Sequence, residues 1–205
     1  MSRLPWIIVW IAVAASLGLW LGLRNRAPEH VGFQSIVAYG TSRPLADFDL
    51  EASDGGRITR ARLQGRPSVL FFGFLNCPDV CPTAMARLAE VDKLLADFPE
   101  SKRPQYVFIT VDPKRDTAAA TGEYARHFSP RILGARLDEP ELESFARQMS
   151  VVYVAEPEVD GVYNVDHSAH FVVLDKDVRI VGIIRPEKQQ PMAMAADLRL
   201  LAGRR

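Results

Sequence analysis

The sequence predicts an α/β domain built on a mixed central sheet. Three observations carry that prediction. Short apolar runs rich in β-formers (residues 69–75, 106–111 and 171–174) alternate with stretches in which apolar residues recur at three and four. A strand–turn–strand pattern and a last helical stretch close the chain. The first long apolar run passes directly into a helical pattern, through a segment that holds both cysteines of the protein, Cys77 and Cys81.

The 205 residues suit one domain with an appendage better than two domains. Lys plus Arg and Asp plus Glu both number 25, and no basic block or basic–aromatic interleaving occurs, which argues against nucleic acid as a partner. The appendage is N-terminal. Residues 4–23 are twenty without a charge, bounded by Arg3 and Arg24; at ~1.5 Å per residue they span about 30 Å, a hydrocarbon thickness. All three tryptophans (Trp6, Trp10, Trp20) fall in this run, two of them near its ends, as interfacial anchors do. The run exceeds a signal-peptide core and no Ala-x-Ala site follows. Residues 1–24 therefore read as a membrane anchor made of one transmembrane helix. Residues 25–44, which show no sustained period, read as a tether, and 45–205 as the domain.

Within the domain, Phe48 and Leu50 alternate with polar residues before Asp54-Gly55-Gly56, a turn signal, and Ile58 resumes the pattern as a hairpin. Residues 69–75 are too short for a helix and read as a buried central strand. Met85, Leu88, Val91, Leu94, Leu95 and Phe98 mark an amphipathic helix; Pro82 suits its first turn and Pro99 ends it. Residues 106–111 are a second buried strand, 117–128 a helix, 132–137 a short strand and 139–149 another helix. Residues 151–155 are strand-like, and Asp160-Gly161 marks a turn. Residues 171–174 and 178–184 form a hairpin across Lys176-Asp177, and 192–201 a C-terminal helix. A dithiol where the first central strand meets its helix is the thioredoxin-like arrangement, and ligands of open α/β sheets lie at the carboxyl ends of strands. Cys77, Cys81 and Asp112 all fall at such ends.

Four positions separate the cysteines, so on a near-helical segment they share a face with Cα atoms about 6 Å apart, within disulfide reach. A helix N-terminus lowers a thiol pKa, so thiolate is expected near neutral pH. Thiolate is both nucleophile and metal ligand. Redox chemistry, metal binding and a structural disulfide all remain open on the motif alone, although closing so short a loop restrains the unfolded chain little. A metal needs more ligands than two sulfurs. The histidines are His30, His127, His167 and His170. His30 falls in the tether and His127 in a helix, as a surface or packed residue. If 164–171 is extended, His167 and His170 point to opposite faces and at most one meets the dithiol; spacing does not choose between them.

Three blocks, in order, carry a resemblance: Phe71-Phe72-Gly73-Phe74 through Cys77-Pro78-Asp79-Val80-Cys81-Pro82, then Thr110-Val111-Asp112-Pro113-Lys114-Arg115-Asp116-Thr117, then Val165-Asp166-His167-Ser168. Together they resemble the Sco/SenC family, membrane-tethered thioredoxin-fold copper proteins that help to assemble the binuclear copper site of cytochrome c oxidase. The resemblance implies Cys77, Cys81 and His167 as metal ligands and leaves His170 a bystander. It also implies a copper-receiving oxidase subunit as partner, with a copper donor or thiol reductant upstream. Two thiolates and an imidazole suit Cu(I), and Cu(II) with a further ligand; zinc would accept the same set.

Asp166 is a weak candidate to orient His167, since adjacent strand residues point apart. Asp116 or Thr117 is expected to cap the following helix, and Asp112 to end its strand or tune the thiols. Two functions stay open. One is copper metallochaperone. The other is a thiol–disulfide reductase using Cys77 and Cys81 as its redox pair, in which case the protein is an enzyme. No proline occurs between Pro157 and Pro186, where a thioredoxin-fold oxidoreductase would carry its substrate-binding proline, and this favours copper. One cysteine pair on a tethered domain suits an exported compartment: a bacterial inner membrane with the domain in the periplasm, or the mitochondrial inner membrane facing the intermembrane space.

Overall fold

The structure is a computed structural model and describes residues 15–16, 32–160 and 163–203. From Phe33 on, the chain forms one compact unit. Its elements in chain order are β1 (Val37–Pro44), β2 (Asp49–Ala52), β3 (Arg57–Thr59), α1 (Arg60–Leu63), β4 (Ser68–Gly73), α2 (Val80–Leu94), β5 (Gln105–Thr110), α3 (Ala118–Phe128), β6 (Ile132–Arg136), α4 (Glu141–Gln148), β7 (Tyr153–Ala155), β8 (Val165–His167), β9 (Phe171–Leu174), β10 (Arg179–Ile184) and α5 (Pro191–Gly203).

An eight-stranded sheet runs β1-β10-β9-β4-β5-β6-β2-β3. Its centre is parallel, β4 against β5 and β5 against β6, while β9, β10 and β2 add antiparallel neighbours. This is the mixed thioredoxin-like sheet expected. All six residues of β4 are buried, which is why the strand reads as a continuous apolar run rather than an alternation. Parallel β4, β5 and β6 bring their carboxyl ends to one edge of the sheet, so the segments that follow β4 and β5 meet there.

The helices keep their sequence logic. Thr117 caps α3, its hydroxyl accepting from the Ala120 N–H at 3.1 Å, so the cap is Thr117 and Asp116 is free for another role. In α4, Leu142 and Phe145 are buried, and Phe145 packs on Phe48 at 5.0 Å between ring centroids. Of the expected apolar stripe, Met85, Leu88, Val91 and Leu95 are buried and Leu94 is exposed; α2 ends at Leu94, so Leu95 and the half-buried Phe98 lie just past it.

Two expectations need correction or fall elsewhere. Residues 37–44, assigned to the tether, are strand β1, paired antiparallel with β10. Most β1 side chains face solvent, so this edge strand is held through its backbone and carries no apolar alternation to read. Gly182 permits the close approach: a Cβ there would lie 2.3 Å from the Val37 carbonyl oxygen. The lead into β1 is fastened by buried Asp197 of α5, which accepts from the Ser35 and Ile36 amides at 2.7 and 2.9 Å. The anchor expected over residues 4–23 lies outside the described residues apart from 15 and 16, as does His30. Among the described residues, no helix is long and apolar enough to cross a membrane.

Candidate metal centre

β4 ends at Gly73, and Leu75 to Asp79 turn the chain into α2. Cys77 sits in the turn and Cys81 in the first turn of the helix. Cys81 is fully buried and Cys77 nearly so, at 9% exposure. Both are free thiols. The Cys81 amide donates to the Cys77 sulfur at 3.3 Å, and the Cys77 amide to the Phe74 carbonyl at 3.3 Å.

The third residue arrives from β8, which pairs with β7 as a separate two-stranded ribbon. Ribbon register sets Val165 inward and Asp166 outward, and His167 meets the dithiol. Its Nε2 lies 3.2 Å from the Cys81 sulfur, and its Nδ1 faces the Ser168 carbonyl at 3.2 Å. The Ser168 carbonyl therefore orients the ring, and exposed Asp166 does not. Phe74 stands edge-on to the imidazole at 5.8 Å. The two sulfurs and an imidazole nitrogen of His167 all lie within 4.8 Å of one another, the one such group among the described residues. Thiolate and imidazole bonds to a metal measure about 2.0–2.3 Å, so a small contraction would let all three donors reach one ion. A cleft of about 290 Å³ lined by Phe74, Cys77, Asp79, Asn164 and His167 opens beside them.

Burial sets the electrostatics. It pushes the Cys81 thiol up from its ordinary range, with the Cys77 sulfur adding to the effect. The expectation that a helix N-terminus would supply thiolate fails at Cys81: desolvation outweighs the dipole when the sulfur has no water. Burial also lowers the His167 imidazole, keeping it neutral, which is the form that binds a metal.

Other candidates fall outside the cluster. His170 is half-buried, with its Nε2 unpartnered and burial lowering its pKa; it is not in the group of three. His127 is exposed on α3. Asp112 is buried but engaged: it takes a hydrogen bond from Arg115 Nε and another from the Tyr163 hydroxyl at 2.7 Å, while Arg115 stacks over the Tyr163 ring. Asp79 is exposed.

Two further residues shape the site: Asp116, expected only as a helix cap, and Gly73, to which the sequence assigns no role. Asp116 is buried, and its Oδ2 accepts from the Leu75 amide at 3.1 Å and the Thr110 hydroxyl at 2.6 Å, tying the turn before Cys77 to the end of β5. Burial, foremost, holds its carboxyl above the usual carboxylate range. Gly73 makes room for the thiol: a Cβ there would stand 2.8 Å from the Cys81 sulfur and 2.8 Å from Phe108. A lone glycine within Phe-Phe-Gly-Phe was a legible sign of such an approach; nothing local marked Asp116.

The family model described as SCO1/SenC matches residues 38–203. The chain is similar to Arabidopsis thaliana protein SCO1 homolog 1, mitochondrial, at 37% identity over 86% of this chain and 55% of that protein. It is likewise similar to the SCO2-like protein RC0895 of Rickettsia conorii, at 33% over 82% of this chain and 83% of the relative. Among solved structures, Bradyrhizobium japonicum ScoI with copper bound superposes with a TM-score of 0.69 at 33% identity, covering 77% of this chain and 99% of that one. Apo Sco1 of Thermus thermophilus superposes with 0.72 at 32%, covering 83% and 99%. With its sheet order, its dithiol turn and a match across the whole compact unit, the chain belongs to the SCO1/SenC family.

Proposed function

We propose that this protein is a membrane-tethered copper metallochaperone that serves the assembly of the binuclear copper site of cytochrome c oxidase. One observation carries the reading: His167, 86 positions beyond Cys81, converges with Cys77 and Cys81 so that their donor atoms lie within 4.8 Å of one another at the carboxyl edge of the sheet. Copper is the cargo. Two soft sulfurs and a neutral imidazole suit Cu(I), and one more ligand would complete a site for Cu(II). The residues divide the work. Cys81 is sealed behind Phe74 and Gly73, whereas Cys77 and His167 line the cleft, so an incoming ligand from a donor or an acceptor subunit would meet these two first. Relatives whose structures hold copper, ScoI of Bradyrhizobium japonicum and yeast Sco1, support the choice of metal. Residues 1–24 as anchor and the chain up to β1 as tether would hold the domain at a bacterial inner membrane, in the periplasm. Mitochondrial relatives make the intermembrane space the alternative. The test is Cu(I) titration of the reduced protein with X-ray absorption to count ligands. One Cu(I) on two sulfurs and one nitrogen is the expected result; a site lacking nitrogen would remove His167 from the assignment.

A second reading, thiol–disulfide reductase for the cysteines of the oxidase subunit, is favoured by the asymmetry of the pair. Cys77 is the more exposed sulfur and receives the Cys81 amide, as an attacking thiol would, while buried Cys81 holds its proton. Turnover of a model disulfide by the metal-free protein, lost in Cys77→Ser, would establish that role beside or instead of copper transfer.

A further inference from the structure

We infer that the Tyr124 hydroxyl is the hydrogen-bond donor held ready for the Cys81 sulfur when that sulfur carries metal, which makes Tyr124 a positioning residue of the centre. The inference rests on the copper reading above.

It starts from an anomaly. The Tyr124 hydroxyl is sealed from water and has no hydrogen-bond partner. A buried donor left unmade costs free energy that phenylalanine would not. The ring needs no hydroxyl to pack: it lies 5.3 Å from Phe108 and 5.2 Å from Phe128, centroid to centroid. Its position explains the polar atom. Phe108 and the Cys81 sulfur flank the same point, each 2.8 Å from where a Cβ on Gly73 would stand. Tyr124, Phe108 and Cys81 therefore form adjoining parts of one wall behind the site. The phenol stands near enough to both sulfurs to feel their charge, and a tyrosine hydroxyl, protonated near neutral pH, is a donor for a thiolate.

The sulfur has the matching need. The Cys77 sulfur receives the Cys81 amide. The Cys81 sulfur has the Phe74 main chain and the His167 Nε2 beside it. When the thiol gives its proton to solvent and ligates metal, His167 Nε2 turns its lone pair to the same ion and ceases to be a neighbour available to the sulfur. That leaves a charged sulfur, in a wall of phenylalanines, with the Phe74 main chain beside it and capacity for a further donor. Hydrogen bonds to a charged acceptor are roughly twice as strong as neutral ones, so the hydroxyl gains its partner in the loaded state and lacks it in the empty one. The cost in the apo protein becomes affinity for the cargo.

The experiment uses the full reduced chain in detergent, with Cu(I) in competition with a chromophoric chelator for affinity and Cu(II) added to separate samples for the charge-transfer band, on wild type, Tyr124→Phe, Tyr106→Phe and His167→Ala. Tyr124→Phe should melt at or above the wild-type temperature without metal, bind Cu(I) about tenfold more weakly, and shift the thiolate-to-Cu(II) charge-transfer band to longer wavelength. Tyr106→Phe removes another buried, unpartnered hydroxyl, from the opposite end of β5, and should leave affinity and band unchanged. Affinity within about twofold of wild type and an unmoved band in Tyr124→Phe, while His167→Ala is weakened, would overturn this inference alone. A lowered apo melting temperature with unchanged affinity would overturn it too, by assigning the hydroxyl a structural role. A wild type that binds no Cu(I), or a His167→Ala that binds as well as wild type, would take down the ligand reading and this inference with it.

Discussion

The two regions that supply the candidate ligands are built differently. Cys77 and Cys81 come from the junction of β4 and α2, where every β4 side chain is buried and the turn is tied down by Asp116. His167 comes from a ribbon of two three-residue strands, in which Val154 is 61% exposed. The dithiol is thus an extension of the core, and the imidazole is delivered from an element with little burial of its own. The difference teaches where each ligand's reliability comes from. The sulfurs are preorganised by packing. The histidine depends on register: a one-residue slip of the ribbon would send His167 outward and Asp166 in.

The largest effect that would sharpen this comparison is Cys81→Ser. It should abolish tight Cu(I) binding in a chelator competition while the domain stays folded by circular dichroism, because a hydroxyl is a poor ligand for a soft ion. His167→Ala should weaken Cu(I) by about a hundredfold and leave the Cys77–Cys81 disulfide able to form, as measured by thiol titration after oxidation. Loss of disulfide formation in His167→Ala would break the view that the sulfurs are held independently of the ribbon. Gly73→Ala comes next. Overpacking a buried site costs about 1–3 kcal/mol, so urea unfolding should show that loss, with Cu(I) weakened as the Cys81 sulfur gives way. An unaltered midpoint would mean the niche is looser than the packing indicates.

The smallest effect concerns Asp116 and pH. Its carboxyl is held above the usual range by burial, so the folded protein takes up this proton at higher pH than the unfolded chain. The group's contribution to stability is therefore full below its unfolded pKa and is lost as pH rises through the folded one. Unfolding free energies of wild type relative to Asp116→Asn should accordingly shift in favour of wild type as pH falls from neutral toward the unfolded carboxyl's pKa of about 4. A shift of opposite sign would show that the Leu75 and Thr110 hydrogen bonds, rather than desolvation, govern the carboxylate.

Much of this was legible in the chain. Residues 69–75, 85–98 and 106–111 declare their elements by local period, because burial on one or both faces leaves a regular apolar trace. The dithiol at a strand–helix junction is a contiguous motif, and its chemistry follows from sulfur at that spacing. β1 was illegible because an edge strand satisfied through one side of its backbone leaves no trace in side-chain polarity. Val178 is another case. It takes a left-handed backbone, with φ of 58°, in a turn without glycine, and only its complete burial shows why a β-branched residue stands there.

By itself, then, the sequence determined the order of the core strands and the longer helices, the placement of Cys77 and Cys81 at the first junction, and, through three motif blocks, the family. Tertiary structure alone brought His167 rather than His170 to the dithiol, reversed the expected acidity of Cys81, and placed Gly73 and Asp116 beside the candidate centre. The reason is range. Periodicity and motif spacing report interactions within a few residues. Desolvation, a shared niche and a hydroxyl without a partner arise only when segments 40 to 90 positions apart are packed together.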